Sequence, residues 1–391
     1  PCSRCRRCRG DGRRHDGSRR CSPDEHPDHI DHHAQRELDL DAAAHNVDNF
    51  AQHDHHLSPP HFHDGAHDND GLGAAHDGAR SHDSLLHQRV GDFSRLLVGP
   101  LRFTVWGMSG TLHVADDQWT SHAEATLWQW IERADAAVNR FNPESEISRL
   151  NRDGELTDAS EDFFRFLDAA RYAYDLTEGL CDPTVANALC AWGYAGDFDH
   201  IPDRVVVQST RPTHGMGALE VTAAERYLTT CCPLDFGASA KALVVDLIAA
   251  EVSTYSDVLI EIGGDVAVST THGSPPWIIG VAPDGPEPTA PQIAVLSGGV
   301  ATSSTTLRTW ATDRGPAHHI IDPRTNAPAV SAWRAASIAA PSCLEANVYA
   351  TASILWSDDA PWHIGQSGWA GRLVRHNGEI LTVGSWPREG A

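Results

Sequence analysis

Of thirty basic residues only one is a lysine, Lys241, in the stretch Leu234-Asp-Phe-Gly-Ala-Ser-Ala-Lys-Ala-Leu-Val-Val-Asp246; the other 29 are arginine. Arginine serves wherever plain charge suffices, but a compact ammonium that meets a phosphate or moves a proton is poorly replaced by it. Codon bias that spared one lysine by chance explains the count equally well, so the flanking residues decide. Leu234-Asp235-Phe236 is predicted to end a short apolar strand, Gly237 to Ala240 to form a small-residue turn, and Ala242 to Glu251 to be helical. Strand, turn and helix would make an anion cradle lined by backbone N–H groups and the positive end of a helix dipole. Three other stretches share the same character, small or hydroxyl residues beside one charged or imidazole group: Gly263–Asp265, Thr302–Thr306 and His319–Thr325. His319 is a candidate phosphate donor or proton carrier. Asn347 and Thr351, four apart on a predicted helix, share one face and offer neutral oxygens that suit Mg²⁺ once a backbone carbonyl and ligand phosphates join them.

The elements that must position these groups occupy only part of the chain. Residues 1–95 hold 15 of the 24 histidines, with abundant Asp, Gly and Arg. Such a segment buries too little apolar surface to offset the entropy of ordering, so it is predicted to be disordered, and residues 96–391 to be one domain. Cys2, Cys5 and Cys8 have iron–sulfur ligand spacing, but the fourth cysteine, Cys21, lies too far along, and no function is assigned to the segment. The formal net charge of −23 argues against nucleic acid or an acidic membrane surface as partner. A phosphorylated ligand of so acidic a protein needs a divalent cation. No run of 18 apolar residues predicts a membrane span, and no secretion signal is visible; a cytoplasmic location is expected, with export or membrane association the alternative if the true start differs. The cysteines of the body read as reduced thiols rather than a disulfide framework.

Phe103–Val114 alternates as a strand, with Gly107 and Gly110 as a bulge or ligand-facing bend. Gln118–Val138 and Glu161–Thr177 have the periodicity of long amphipathic helices, and Ser145 is placed to cap a short one between them. Two or three strands are expected over Val205–Cys232. Asp257–Asp265 reads as an apolar strand ending in Gly-Gly-Asp. Trp277–Val281, Ile293–Leu296 and Gly298–Ser304 are further strands, Cys343–Trp356 a helix, and Arg372–Val383 a hairpin turning at Asn377-Gly378. Strands joined by hairpins, with helices in separate blocks, define an α+β class.

Taken in order, FNPESEISRLN, GLCDPTVANALCAWGY, LDFGASAKALVVD, IEIGGDVAV, GGVATSSTTLR, AHHIIDPRTNAPA and EANVYATASILW resemble the ApbE family, the FAD:protein FMN transferases. The resemblance runs from about Met108 to Pro387; its sharpest pieces are HIIDPRT and DFGxxxK. It implies an ApbE-like, T-fold-like domain of antiparallel or mixed sheets with packed helices. It implies Mg²⁺-dependent cleavage of FAD, transfer of the FMN half to a Ser or Thr hydroxyl of a target protein, and release of AMP; the targets are flavin-carrying subunits or domains of redox complexes. By the resemblance, Met108 and Phe141 contact the flavin or adenine, and Cys181, Asp182 and Pro183 line the nucleotide pocket. Asp235 and Lys241 hold FAD, the Ala238 carbonyl with Asn347 and Thr351 binds Mg²⁺, and Ile320 lies against the cofactor. His319 takes the proton-handling role beside the scissile phosphates, with Asp265 the rival base. Family members commonly carry Asp where Asn347 stands, so the implied metal site lacks one negative charge here. Ser304 and Asn326 replace glycines, and the flavin motif Met108-Ser-Gly-Thr111 is one residue longer. FAD hydrolysis to FMN and AMP, or FAD binding without catalysis, are the alternatives to transfer.

Overall fold

The computed structural model describes residues 99–196, 198–270, 275–282 and 290–387. The expectations for residues 1–95 lie outside them. The scaffold is one eight-stranded sheet: β1 (Leu101–Val105), β2 (Met108–Val114), β3 (Val258–Ile262), β4 (Asp265–Ser269), β5 (Gly298–Ser304), β6 (Trp333–Ala340), β7 (Ala370–Arg375) and β8 (Ile380–Val383). Spatial order follows chain order from β1 to β8, and every neighbouring pair is antiparallel. Antiparallel neighbours need only short turns, and two of these turns matter for the site. Trp106-Gly107 joins β1 to β2 and Gly263-Gly264 joins β3 to β4, all four residues at positive φ. A two-residue turn of this hand matches the twist of the flanking strands, and glycine enters it without steric cost. The stretch read from sequence as one strand ending in Gly-Gly-Asp is therefore a hairpin whose second strand starts at Asp265. Gly110 is no bulge: it pairs in register with Phe103 and Ile262.

Among the described residues seven α-helices accompany the sheet: α1 (Thr120–Val138), α2 (Glu146–Asp153), α3 (Glu161–Leu176), α4 (Ala186–Ala191), α5 (Ala240–Val252), α6 (Cys343–Trp356) and α7 (Ala360–Ser367). Ser145 and Ser160 cap α2 and α3, their hydroxyls accepting from the Ser148 and Phe163 N–H. Alternation along β4 sorts the two faces of the sheet. Ala267 joins a core with α1, α3 and α5, whereas Val266 and Val268 pack with Ile279, Ile293 and Trp386 beneath the hairpin Trp277–Gly280/Gln292–Val295. The N-terminus of α6 lies so close to β5 that a Cβ on Gly299 would fall 2.2 Å from the Cys343 nitrogen. Asp246 of α5 caps that same end, accepting the Cys343 and Leu344 N–H at 2.8 Å each. Burial outweighs these two bonds and raises the Asp246 carboxyl to about 7. Val205–Cys232 yields two strands, Leu219–Thr222 and Tyr227–Thr230. The described residues fall in one compact unit. None of their helices is long and apolar enough to cross a membrane.

Candidate functional site

Lys241 sits in the first turn of α5 and reaches the β3–β4 hairpin. Its Nζ donates to the Ile262 and Gly263 carbonyls at 3.0 and 3.2 Å and pairs with Asp265 Oδ2 at 2.8 Å. Two hydrogen bonds and one ion pair thus hold the ammonium against the hairpin. Asp265 is 2 % exposed, and its burial raises the carboxyl above the ordinary range against the opposing pull of Lys241. The lysine thus fastens the Gly263-Gly264 turn, and Gly263 in turn seats Met108, whose Sδ lies 2.5 Å from where a Cβ on that glycine would stand. Three sequence-predicted residues, Lys241, Asp265 and Met108, are brought together here.

The turn preceding α5 differs from expectation. Leu234–Phe236 is not a strand. Asn151, which closes the FNPESEISRLN motif, clamps it instead: Asn151 Nδ2 donates to the Leu234 carbonyl at 2.8 Å and the Leu234 N–H returns to Asn151 Oδ1 at 2.7 Å. Nor is the turn an open cradle of N–H groups. The Gly237 N–H is taken by Asp235 Oδ1, and the Ser239 and Ala240 N–H both go to the Phe236 carbonyl. Anion affinity from bare backbone donors at these three positions is therefore excluded; what the turn presents is the Ala238 carbonyl. The Asp235 N–H donates to the Pro183 carbonyl at 2.8 Å, which draws the Cys181–Pro183 loop to the site. Asp182 is buried and holds the Thr184 N–H and hydroxyl at 2.8 and 2.7 Å. Asp235 Oδ2 is ion-paired with Arg140, beside Phe141.

α6 faces this turn across the Ala238 carbonyl. Asn347 Nδ2 donates to it at 2.7 Å, and Thr351 Oγ1, one turn on, bonds Ser303 Oγ of β5 at 3.0 Å. Ala238 and Asn347 thus stand as close as two ligands of one small cation, and rotating the amide would turn Oδ1 toward such an ion. The residues fit an oxygen-ligated divalent ion in kind and place, but all three are neutral. Among the described residues no group of three His, Cys, Asp or Glu could hold a metal.

His319 follows the hairpin Thr309–Thr312/Gly315–His318. Its Nδ1 is buried without a partner. Enclosure pushes the imidazole down to about 3, with Arg308, His318 and Lys241 adding to the depression. The ring is neutral at physiological pH, so it can accept a proton but is a weak base until an anion enters its field. Two predicted contacts point elsewhere. The Ile320 side chain is 5 % exposed and packs in a core with Trp333, Ala336 and Ile354. Cys181 Sγ is buried against the Val348 carbonyl in a core with Ala173 and Leu344, and burial raises its thiol to about 12, so it is inert. Arg140 and Asn151 were missed as individual residues; their only signal in sequence was membership of, or adjacency to, the FNPESEISRLN motif.

The eight-stranded antiparallel sheet with its packed helices has counterparts among solved structures. The fold matches the ApbE protein from Thermotoga maritima with a TM-score of 0.63 at 23 % identity, covering 73 % of this chain and 96 % of that one. It matches the flavin transferase ApbE from Vibrio cholerae with a TM-score of 0.59 at 19 % identity, covering 73 % and 96 %. The ApbE family profile matches residues 105–382, and the chain belongs to the ApbE family. Curated relatives include the FAD:protein FMN transferase of Chlamydia muridarum, 27 % identical over 241 residues (59 % of this chain, 74 % of the relative). That of Chlamydia pneumoniae is 29 % identical over 243 residues, 58 % and 76 % of the two chains.

Proposed function

We propose that this protein is an FAD:protein FMN transferase, joining the FMN half of FAD to a Ser or Thr hydroxyl of a target protein and releasing AMP. Family membership over residues 105–382 carries the reading, and the relatives named for that activity support it. In the reaction the acceptor oxygen forms a bond to the FMN phosphorus, the bond from that phosphorus to the bridging oxygen breaks, and AMP leaves with that oxygen. The acceptor's proton must go to a base. His319, enclosed and neutral, takes that role, and the entering diphosphate strengthens it by raising its pKa. Asp265 is the weaker candidate because its carboxylate is already paired with Lys241. Held by two carbonyls and the Asp265 carboxylate, Lys241 contributes a fixed positive field near the diphosphate and holds the Met108 side of the pocket. Ala238, Asn347 and Thr351 would hold Mg²⁺, which when bound supplies charge to polarise phosphoryl oxygens. The acceptor is a flavin-carrying protein or domain of a redox complex.

The Asn347 bond to the Ala238 carbonyl favours a second reading, FAD binding without catalysis, because an amide already satisfies the oxygen a metal would use. Incubation with FAD, Mg²⁺ and a candidate acceptor domain tests both. Covalent flavin on the acceptor, seen by in-gel fluorescence and mass, is the expected result. Bound and unchanged FAD supports the second reading; free FMN with AMP and no labelled acceptor points to hydrolysis and overturns transfer.

A further inference from the structure

Arg140 lies in the connection between α1 and α2 and does more than balance a charge. Its guanidinium is ion-paired with Asp235, and Nη2 donates to the Tyr194 carbonyl at 2.8 Å. Its Cζ stands 4.1 Å from the centre of the Phe141 ring and 4.8 Å from that of Tyr194, so the planar cation contacts both rings. The Arg140 and Asp235 side chains are only 13 % and 11 % exposed. A guanidinium suits this post: it forks toward a carboxylate and stacks on aromatic faces, which an ammonium cannot do together.

Three segments meet at this one side chain: the loop after α1, the residues after α4, and the turn that leads into Lys241. Asp235 spends its other oxygen on the Gly237 N–H at 2.6 Å, and a Cβ at Gly237 would lie 2.7 Å from that oxygen. The orientation of Asp235 therefore depends on Arg140 at one oxygen and on a glycine at the other. Phe141 has the opposite character. The residue stays 37 % exposed and borders a cleft of about 370 Å³ lined by Arg140, Pro143, Ser148, Asn151 and Arg152. Phe141 thus lies against a largely enclosed cation without being part of the core.

We infer that Arg140 is a positioning residue for flavin-nucleotide binding, holding the Asp235 carboxylate and the Phe141 ring as one rigid unit against the lysine turn. The inference rests on the flavin reading above and adds a residue that reading does not use. It acts through Asp235 and Phe141, so its loss should register as affinity for FAD and should add only in part to the loss of Asp235.

The test is a double-mutant cycle on the full chain, read as FAD Kd by flavin fluorescence at a temperature well below each variant's melting midpoint. Arg140→Met is expected to raise Kd about tenfold or more, the scale of one broken charge-assisted contact. Arg140→Lys, which keeps the charge but not the fork or the stack, should recover part of that loss. Asp235→Asn combined with Arg140→Met should cost clearly less than the two single losses added together, the remainder being the Phe141 arm, because coupled residues are not additive. If Arg140→Met does not fold, Arg140→Lys carries the cycle. A folded variant whose Kd stays within about twofold of wild type overturns the inference, since a purely structural role moves the midpoint and not the affinity. Full additivity overturns it too, since that would make Arg140 a direct ligand. Wild-type protein that fails to bind FAD overturns the flavin reading and this inference with it.

Discussion

Replacing Asn347 by Asp restores a charge to the candidate cation site and reverses the sign of its contact with Ala238. In the wild type an amide N–H meets the Ala238 carbonyl at 2.7 Å. In Asn347→Asp two oxygens would face each other across the same gap. The lost hydrogen bond costs about 1 kcal/mol net, and a carboxylate left unsatisfied in a half-buried position adds about 1–3 kcal/mol. For a chain of this size that total of about 2–4 kcal/mol lowers the melting midpoint by roughly 4–16 °C, at about 2–4 °C per kcal/mol. A divalent cation changes the balance. A carboxylate at metal–ligand distance, even with water-like screening, gains about 4 kcal/mol from a doubly charged ion. Dehydrating both partners takes back part of this, leaving a gain of about 1.4–2.8 kcal/mol, or ten- to a hundredfold in Kd. The variant should therefore melt below wild type in chelator and regain much of the difference in millimolar Mg²⁺, while wild type responds weakly. Differential scanning calorimetry gives the first quantity and isothermal titration with Mg²⁺ or Mn²⁺ the second. A variant as stable as wild type in chelator, with no gain in cation affinity, would refute both the contact and the ligand set.

Three further outcomes follow from the same geometry. His319 has a folded pKa of about 3 against 6.5 ordinarily, so between those values the unfolded chain binds more protons and stability rises with pH. Its contribution is complete above about pH 6.5 and lost on acidification, up to about 5 kcal/mol; His319→Gln should flatten that part of the stability–pH curve, and an unchanged curve counts against the enclosed imidazole. Lys241→Ala leaves Asp265 buried without its partner, so it should lower stability by about 3–5 kcal/mol as well as weaken FAD binding. An unaltered FAD Kd in folded Lys241→Ala protein would remove the lysine from the site. Gly299→Ala drives a methyl into the backbone of Cys343, so a loss of about 1–3 kcal/mol or more in urea unfolding is expected; a wild-type midpoint would show that β5 and α6 are not so tightly apposed.

Much of the architecture was legible because local patterns write it. The periodicity of Glu161–Thr177 and of Cys343–Trp356 places α3 and α6 nearly to the residue. Asn377-Gly378 announces the last hairpin, with Gly378 at φ 88°. The Lys241 turn stands out in the sequence, but the state of its backbone does not follow from it. Small residues suggested open backbone donors, whereas the N–H groups at Gly237, Ser239 and Ala240 bond neighbouring atoms. Whether a donor is free depends on what the chain folds over it, and spacing carries no record of that. Ile320 shows the same limit: an apolar residue in a motif packs in the core or faces a ligand with identical local sequence.

The sequence by itself determined the class of fold, the family and the stretches that matter, because hydrophobic period, turn chemistry and ordered motifs are properties of neighbours along the chain. Only the tertiary structure decided who meets whom. Lys241 finds its partners more than twenty residues away in a hairpin, Asn347 meets a carbonyl 109 positions earlier, and Arg140 meets a carboxylate in the turn before α5. Such meetings arise when sheet register and helix packing bring remote backbones within hydrogen-bond reach, and burial then sets the charge each group can carry.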